Sequence, residues 1–459
     1  MKRMLLLAVL TFAVSLYAQE DHKEHMTEAF ASPQAVTEAC LECHETAAQE
    51  IMKTNHWSWL NEEFKNEAGE TVRRGKINFI NNFCIAVPSN YARCTSCHVG
   101  YGWKDSSFDF TIEKNVDCLV CHDQSGLYKK TPTAAGMPDP EVDLLKAAQS
   151  VGMPKRKNCG VCHFDGGGGT GVKHGDMDNS LYNPTHEVDV HMGGNKFECT
   201  KCHTTTEHKI GGASHGSMAS NKNHVYCTTC HEGEVHKKKS LNRHTASLAC
   251  ETCHIPEFSR EEPTKVWWDW SKAGMDRKTE KDKFGKAIFM KKKGEFVWDK
   301  NVTPTYRWYN GSADYVAIGE KIDPQTIVAL NIPGGDISDK NSKLAPFKVM
   351  KGKQPYDTKN NYFIVPKLFG KGGYWKTFDW NAASELGMKE INLPYSGEFD
   401  FVETEMYWPI NHMVAPKEKA LKCTNCHGKK ADRFDWELLG YPGDPKKEGG
   451  RVKNELVKN

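Results

Sequence analysis

The sequence contains few of the apolar residues that normally fill a protein core. Of its 459 residues, 38% are hydrophobic, and the mean hydropathy is −0.64. A chain of this length is long enough for two or three domains. Something other than aliphatic side chains must therefore fill much of its interior.

The chain also lacks a charge excess, and it lacks a long apolar run beyond its first residues. Its net charge is +2, and Lys2 and Arg3 lie in residues 1–18, MKRMLLLAVLTFAVSLYA, which predict a secretory signal peptide. The mature chain is then near neutral, without the basic excess typical of nucleic-acid-binding proteins. No later segment is apolar enough to cross a bilayer. We expect a soluble periplasmic protein, with an uncleaved signal anchor as the alternative.

Sixteen of the seventeen cysteines belong to eight copies of the pattern C-x-x-C-H. Disulfides are usual in exported proteins, but this regular spacing argues against them. Zinc sites also use C-x-x-C, yet nothing in zinc chemistry requires a histidine directly after each pair. The cysteines are Cys40, Cys43, Cys94, Cys97, Cys118, Cys121, Cys159, Cys162, Cys199, Cys202, Cys227, Cys230, Cys250, Cys253, Cys423 and Cys426.

Two cysteines at this spacing can form thioethers with one haem, and the adjoining imidazole then binds the iron. The sequence therefore predicts eight covalently bound haem c groups, numbered here by motif order. Haems would also replace the missing apolar core. The expected proximal iron ligands are His44, His98, His122, His163, His203, His231, His254 and His427.

The twelve remaining histidines are candidates for the second axial position. A haem that only carries electrons usually has two strong protein ligands, whereas a catalytic haem needs a position that can open. His22 and His25, in a charged segment, are interpreted as solvated side chains, and His174, His215 and His224 stay undecided. The expected distal ligands are His56, His186, His191, His208, His236, His244 and His412.

The spacing of the motifs divides the chain into a signal peptide (1–18), a haem-dense region (19–254), a haem-free insert (255–415) and a C-terminal helix with haem 8 and a mobile tail (416–459). The predicted fold is a multihaem cytochrome c, mainly short α-helices and long loops around a haem core. The insert is aromatic and turn-rich, with stretches such as VWWDW, and predicts a few short strands. Its aromatic residues favour packing over substrate binding.

One cysteine, Cys84, lies outside the motifs. The stretch NNFCIAVPSNYARCTSCHVGYGWKD around it, the later GVKHGD with Lys173, and the isolated eighth motif resemble the octahaem tetrathionate reductase family of periplasmic cytochromes. The resemblance covers most of residues 40–430. The motif count alone would fit several octahaem families.

The resemblance implies that haem 2, bound by Cys94, Cys97 and His98, is the active site. It implies that Lys173 replaces histidine as the distal ligand of this haem and that Cys84 stands beside it. Asn81 also matches the family, as does a lysine of FKVMKGKQPYD, for which Lys351 is preferred over Lys353. Without the resemblance, Cys84 would be interpreted as a small buried hydrophobic residue and Lys173 as a solvated loop lysine.

We therefore expect an oxidoreductase that reduces tetrathionate to thiosulfate at haem 2, with the other haems relaying electrons. The expected partners are a small anionic or nitrogen-oxide substrate and a periplasmic or quinol-linked electron donor. One alternative is a nitrite or hydroxylamine reductase that uses the same haem. The other is a non-enzymatic electron conduit in which every haem has two histidine ligands.

Overall fold

A computed structural model of the chain describes residues 22–61, 63–65, 71–212 and 224–457. The predicted signal peptide, residues 1–18, and His215 lie outside the described residues. No helix within the described ranges is long and apolar enough to span a membrane.

The helices are short and most carry or adjoin a haem motif. The longest in the described ranges, α12, has 11 residues. The helices are α1 His22–His25, α2 Pro33–Leu41, α3 Ala47–Met52, α4 Asn55–Ser58, α5 Tyr91–Cys94, α6 Leu119–His122, α7 Leu144–Gln149, α8 Arg156–His163, α9 Lys239–His244, α10 Cys250–His254, α11 Tyr374–Thr377, α12 Trp380–Glu390, α13 Cys423–Cys426 and α14 Pro445–Glu448.

Side-chain caps set where several of these helices begin. Ser32 accepts a hydrogen bond from the Ala35 amide at the start of α2, and Asp143 accepts one from the Lys146 amide at the start of α7. Such caps satisfy amides that have no partner within the helix. Because helices this short gain little from their own hydrogen bonds, packing around the motifs must supply most of their stability.

The strands are concentrated in the insert. They are β1 Phe64–Lys65, β2 Thr71–Val72, β3 Thr205–Thr206, β4 Lys209–Ile210, β5 Thr264–Asp269, β6 Phe289–Met290, β7 Gly294–Asp299, β8 Thr305–Tyr309, β9 Ala313–Tyr315, β10 Val328–Ala329, β11 Asn331–Pro333, β12 Lys343–Asp357, β13 Tyr362–Phe363 and β14 Phe399–Pro409.

The insert forms an eight-stranded sheet in the order β10-β14-β12-β5-β7-β6, with β8 and β13 also paired to β12. The central strand β12 runs for 15 residues and pairs antiparallel with β14 from Phe347↔Pro409 to Asp357↔Phe399. On its other side it lies parallel to β5, with Lys351 opposite Trp267. The multihaem cytochrome fold was predicted, but this sheet is far more extensive than the few short strands expected of the insert.

Buried ionic contacts join the sheet region to the haem-dense region. The Arg74 guanidinium contacts Asp314 at 2.9 Å, and it also binds Glu320 and the Tyr315 carbonyl. Phe79 and Ile80, near Arg74 in sequence, pack in the same hydrophobic cluster as Trp268 from the sheet. The insert and the region around haem 2 therefore form one packed body.

The C-terminal segment differs from the expected mobile tail. Arg451 is 5% exposed, and its guanidinium donates hydrogen bonds to the carbonyls of Ile337, Asp339 and Ala246. These contacts attach the segment to the body of the protein up to the last described residues. The charged, glycine-containing sequence of this segment gave no indication that Arg451 would be buried and would anchor it.

Candidate active site and haem relay

Seven of the eight motif histidines face another histidine at a nearly constant distance. The distance between the two ring centres suits an iron bound by both imidazoles. Two metal–nitrogen bonds of about 2.0 Å each, together with the radii of the two rings, add up to about this distance. The ring-centroid distances are 6.3 Å for His22–His44, 6.2 Å for His56–His163, 6.3 Å for His122–His208, 6.1 Å for His191–His231, 6.2 Å for His203–His412, 6.1 Å for His236–His254 and 6.1 Å for His244–His427.

The structure places six of the seven expected distal histidines opposite a motif histidine, and it places His22 and His186 differently from the expectation. His22, interpreted as solvated, stacks on His44. His186, expected as a ligand, has a half-exposed side chain beside Glu187, with Nδ1 3.6 Å from the Glu187 carboxylate. The undecided His174 packs on Trp408 at 5.3 Å, and His224 packs on Tyr226 at 4.6 Å.

The remaining motif histidine, His98 of haem 2, has a different environment. It is fully buried among the rings of Trp57, Trp59, Trp103, Phe108 and Phe110, and no histidine faces it within the described ranges. Its Nε2 lies 2.7 Å from the Trp57 carbonyl oxygen, and its Nδ1 is buried without a hydrogen-bond partner. A neutral ring that donates one N–H to this carbonyl keeps a lone pair free on the other nitrogen.

Lys173 approaches the same motif from a loop rather than from a helix. Its Nζ lies 5.1 Å from the Trp408 ring centre and interacts with the sulfurs of Cys97 and Cys162. Burial of the ammonium, reinforced by the neighbouring Lys76, lowers the pKa of Lys173 to about 8. The structure thus brings Lys173 to the haem 2 motif, where a deprotonated amine can bind iron.

Cys84 is held in a tight turn by the expected residue Asn81. The Asn81 side-chain oxygen accepts hydrogen bonds from the Cys84 amide at 2.9 Å and the Phe83 amide at 3.2 Å. The following residue, Ile85, has a φ of +72°, a conformation that costs energy for a β-branched side chain. Asn81 therefore positions Cys84 through the backbone, and the Cys84 thiol is not committed to a disulfide.

Cations from three parts of the chain surround Cys84. The Lys265 ammonium lies 3.8 Å from the Trp268 ring centre and 3.4 Å from that of Phe296. Lys293 lies 5.8 Å from Trp268, whose cluster of packed side chains also includes Cys84. Lys293 and Arg93 share the Trp375 ring, at 5.9 Å and 4.9 Å.

These cations interact electrostatically with the thiol. Lys265 is 3% exposed. Burial and the charge of Lys293 lower the pKa of Lys265, whereas a negative charge on Cys84 would raise it. Burial and the charge of Arg93 lower the pKa of Lys293, and a negative charge on Cys84 would raise it. No ion pair to an acidic side chain is found for either lysine in the part of the chain that the structure describes. An anionic ligand or a thiolate would supply the missing negative charge.

Lys351 does not belong to this cluster. It is exposed and lines a separate cavity with Trp267 and Val349. Side chains alternate between the two faces of a strand, and the inner face of β12 carries Lys348 and Met350 instead. The structure therefore does not support the preference for Lys351. The lysine of this stretch that faces the interior is Lys348, and it contacts the loop that carries Lys173 rather than Cys84.

Three family models match the chain in separate parts. "Cytochrome c554 and c-prime" matches residues 39–123, "Cytochrome c7 and related cytochrome c" matches 184–262, and "Cytochrome c bacterial" matches 265–430. A curated, uncharacterized protein of Archaeoglobus fulgidus is 25% identical over an alignment of 242 positions, which covers 42% of this chain and 80% of that protein.

Among solved structures, an octahaem cytochrome c from Shewanella oneidensis is 51% identical to the chain. The match covers 93% of this chain and 98% of that one, with a TM-score of 0.88. The chain belongs to the octahaem c-type cytochromes. The predicted covalent haem c groups are thereby confirmed, and the histidine stacks provide positions for their irons.

Contacts between motif cysteines give the order of the haems in this octahaem cytochrome. Because each cysteine carries a porphyrin edge, a contact between cysteines of two motifs brings two haem edges together. The sulfur atoms of four cysteine pairs lie close enough to interact directly: Cys40 with Cys118, Cys97 with Cys162, Cys159 with Cys199, and Cys227 with Cys250. Charge interactions at slightly longer range pair Cys121 with Cys162, Cys202 with Cys230, and Cys253 with Cys423.

The resulting relay is a line with one branch. It runs from haem 1 through haems 3, 4, 5, 6 and 7 to haem 8, and haem 2 joins it at haem 4 through the contact between Cys97 and Cys162. The site around His98 is thus a side branch fed from the middle of the line. Such an arrangement can deliver electrons to one reacting position from either end.

Proposed function

We propose that this octahaem cytochrome is a periplasmic reductase that splits tetrathionate into two thiosulfates at haem 2. The observation that carries the proposal is the contrast between His98 and the other motif histidines. Seven of these face a second histidine, as electron carriers require, whereas no histidine faces His98 in the described part of the chain. Lys173 and the free thiol Cys84 instead interact electrostatically with the two cysteines of its motif. A pure electron conduit has no need of this exception.

The cations around Cys84 support an anionic substrate. Tetrathionate is a dianion. Lys265, Lys293 and Arg93 form one group of basic side chains near the thiol. Lys76 and Lys173 form a second group, which interacts with the motif cysteines of haem 2. Buried positive charges without acidic partners attract anions more strongly than exposed ones do. A dianion would offset this charge in a way that the neutral hydroxylamine cannot.

The side chains suggest a simple course for the reaction. Cys84, reacting as a thiolate, attacks the central sulfur–sulfur bond, releases one thiosulfate and keeps the other as a mixed disulfide. Two electrons, which the haem relay would supply, free the second thiosulfate and restore the thiolate. Lys173 would bind the haem 2 iron in the resting protein and would leave it when substrate enters.

Side-by-side turnover tests the proposal. The purified holoprotein, with a reduced dye as donor, should consume tetrathionate with a higher kcat/KM than nitrite or hydroxylamine, and should form two thiosulfates per tetrathionate. Faster turnover of nitrite or hydroxylamine would replace this proposal by nitrogen-oxide reduction. Absence of turnover with all three compounds would leave a conduit.

A further inference from the structure

Haem 8 forms one end of the relay, and its surroundings reach the surface. Cys423, one of its two attachment cysteines, is exposed, and so is His244, whose ring faces His427 at 6.1 Å. Cys253 of haem 7 connects this end to the rest of the line. An electron carrier that docks here can therefore approach a haem directly.

Three basic segments converge on this end. The segment 237–244 ends at His244, and the segment 422–430 contains the haem 8 motif. The third segment, 444–448, consists of Asp444 and helix α14. Asp444 accepts a hydrogen bond from His427 Nδ1 at 2.6 Å, which places this segment at haem 8. The exposed basic residues of these segments, called here the haem 8 surface, are Lys237, Lys238, Lys239, Arg243, Lys422, Lys429, Lys430, Lys446 and Lys447.

The charge of the haem 8 surface is not neutralised within the protein. The three segments contain two acidic side chains, Asp444, which is engaged with His427, and the exposed Glu448, against nine exposed basic ones. None of the nine basic side chains forms an ion pair across residues 22–61, 63–65, 71–212 and 224–457. Their combined field extends about 10 Å into solvent at 0.1 M salt and is available to a partner.

The opposite end of the relay has the opposite character. Around haem 1, the stacked pair His22 and His44 adjoins three exposed acidic residues, Glu24, Glu42 and Glu45, and one exposed basic residue, Lys23. An acidic protein is repelled from this end and attracted to the other. The charge distribution thus selects the end at which such a partner docks and the orientation in which it docks.

We propose that the haem 8 surface docks an acidic one-electron carrier protein, which feeds the relay at haem 8. Each carrier molecule that binds loses one electron, and the relay gains one, so two carriers are oxidised for every two-electron reduction at haem 2. The inference rests on the order of the haems and on the surface charge. It does not depend on which substrate haem 2 reduces.

Charge reversal tests this docking. The triple variant Lys237→Glu, Lys238→Glu, Lys239→Glu changes the surface, and the triple variant Lys278→Glu, Lys281→Glu, Lys283→Glu is a matched control with three exposed lysines of the insert. The probe is flavodoxin, an acidic one-electron carrier. Its binding in the oxidised form is measured by titration calorimetry, and its electron transfer in the reduced form by stopped-flow absorbance.

We expect the first variant to bind flavodoxin at least about tenfold more weakly than the control and to accept electrons correspondingly more slowly at about 0.05 M salt. The difference should fade near 0.5 M salt because of screening. The haem absorption spectrum and reduction by a small dye should not change. If the spectrum shows that haem 8 has been lost, the variant Lys429→Glu, Lys430→Glu gives the decisive comparison.

Two results would overturn the proposal. One is equal loss of flavodoxin binding in the surface variant and the control, and the other is binding that is unaffected by either reversal. Vesicles of anionic phospholipid serve as a second probe. If the wild-type protein bound these vesicles but not flavodoxin, the surface would be a membrane-docking site instead.

Discussion

Cys84 and Lys173 illustrate what single residues reveal in a sequence. Both were predicted for the site from the short stretches that contain them, and the structure places each near the haem 2 motif. The cations that give Cys84 its environment were missed. Lys265 and Lys293 lie about 180 and 210 positions from Cys84, and only the packing of the sheet on the turn at Asn81 brings them close.

Replacement of Cys84 by serine tests the thiol. A hydroxyl has nearly the same size but is a far weaker nucleophile towards sulfur, so kcat/KM for tetrathionate should fall by at least about 100-fold. Dye-driven reduction of the haems should not change, because the relay does not include Cys84. Wild-type turnover of tetrathionate by Cys84→Ser would remove the thiol from the mechanism.

Two neighbouring lysines test the role of charge. Lys293→Met removes an ammonium near Cys84, and we expect KM for tetrathionate to rise about tenfold because a dianion loses one attractive interaction. Lys292→Met removes an equal charge from an exposed position next to it and should leave KM unchanged. Equal effects in the two variants would indicate general attraction by surface charge rather than a specific contact.

The loop that carries Lys173 is held by the sheet of the insert. The buried Lys348 ammonium of β12 donates hydrogen bonds to the carbonyls of Val172 at 2.9 Å and Lys173 at 3.1 Å, and to the Thr264 hydroxyl at 2.7 Å. Gly171, with φ +69°, lies so close to Pro263 that a Cβ atom would come within 2.5 Å of its carbonyl oxygen. Two strands of the insert therefore set the position of Lys173.

Removal of this clamp should affect both stability and the haem 2 spectrum. Lys348→Met leaves three acceptors without their donor, which should lower the free energy of unfolding by about 1–3 kcal/mol. It should also increase the high-spin fraction of haem 2 as Lys173 leaves more often. Lys351→Met, on the same strand but exposed, is the control and should change stability by less than about 0.5 kcal/mol. A normal haem 2 spectrum in Lys348→Met would show that the clamp does not position Lys173.

The insert also shows the limit of prediction for an element. VWWDW and FKVMKGKQPYD indicated strands, but strand register cannot be read from either stretch alone. A shift of one residue exchanges the two faces of a strand, so the resemblance, which left a choice between Lys351 and Lys353, could not show that Lys348 is the lysine on the buried face. The register follows from the pairing of β12 with β14 and β5, whose partner residues lie 42 to 84 positions away in the sequence.

In the whole molecule, local motifs attach the haems, and contacts between residues far apart in the sequence determine how the haems are arranged. The haem attachment residues were predicted because each motif is contained in five consecutive residues. The axial pairs were only partly predictable, since His203 faces His412 and His56 faces His163 across long stretches of chain. The branch at haem 4 depends entirely on such contacts, so the sequence alone could not give the order of the relay.

Electron paramagnetic resonance of the fully oxidised holoprotein, combined with near-infrared magnetic circular dichroism, tests the central claim most directly. The account predicts seven low-spin irons with two histidine ligands and one distinct iron with lysine and histidine ligation or a high-spin signal. Lys173→Met should change the signal of that one iron only. Eight irons with two histidine ligands each would contradict the account and leave an electron-carrying protein without a reacting site.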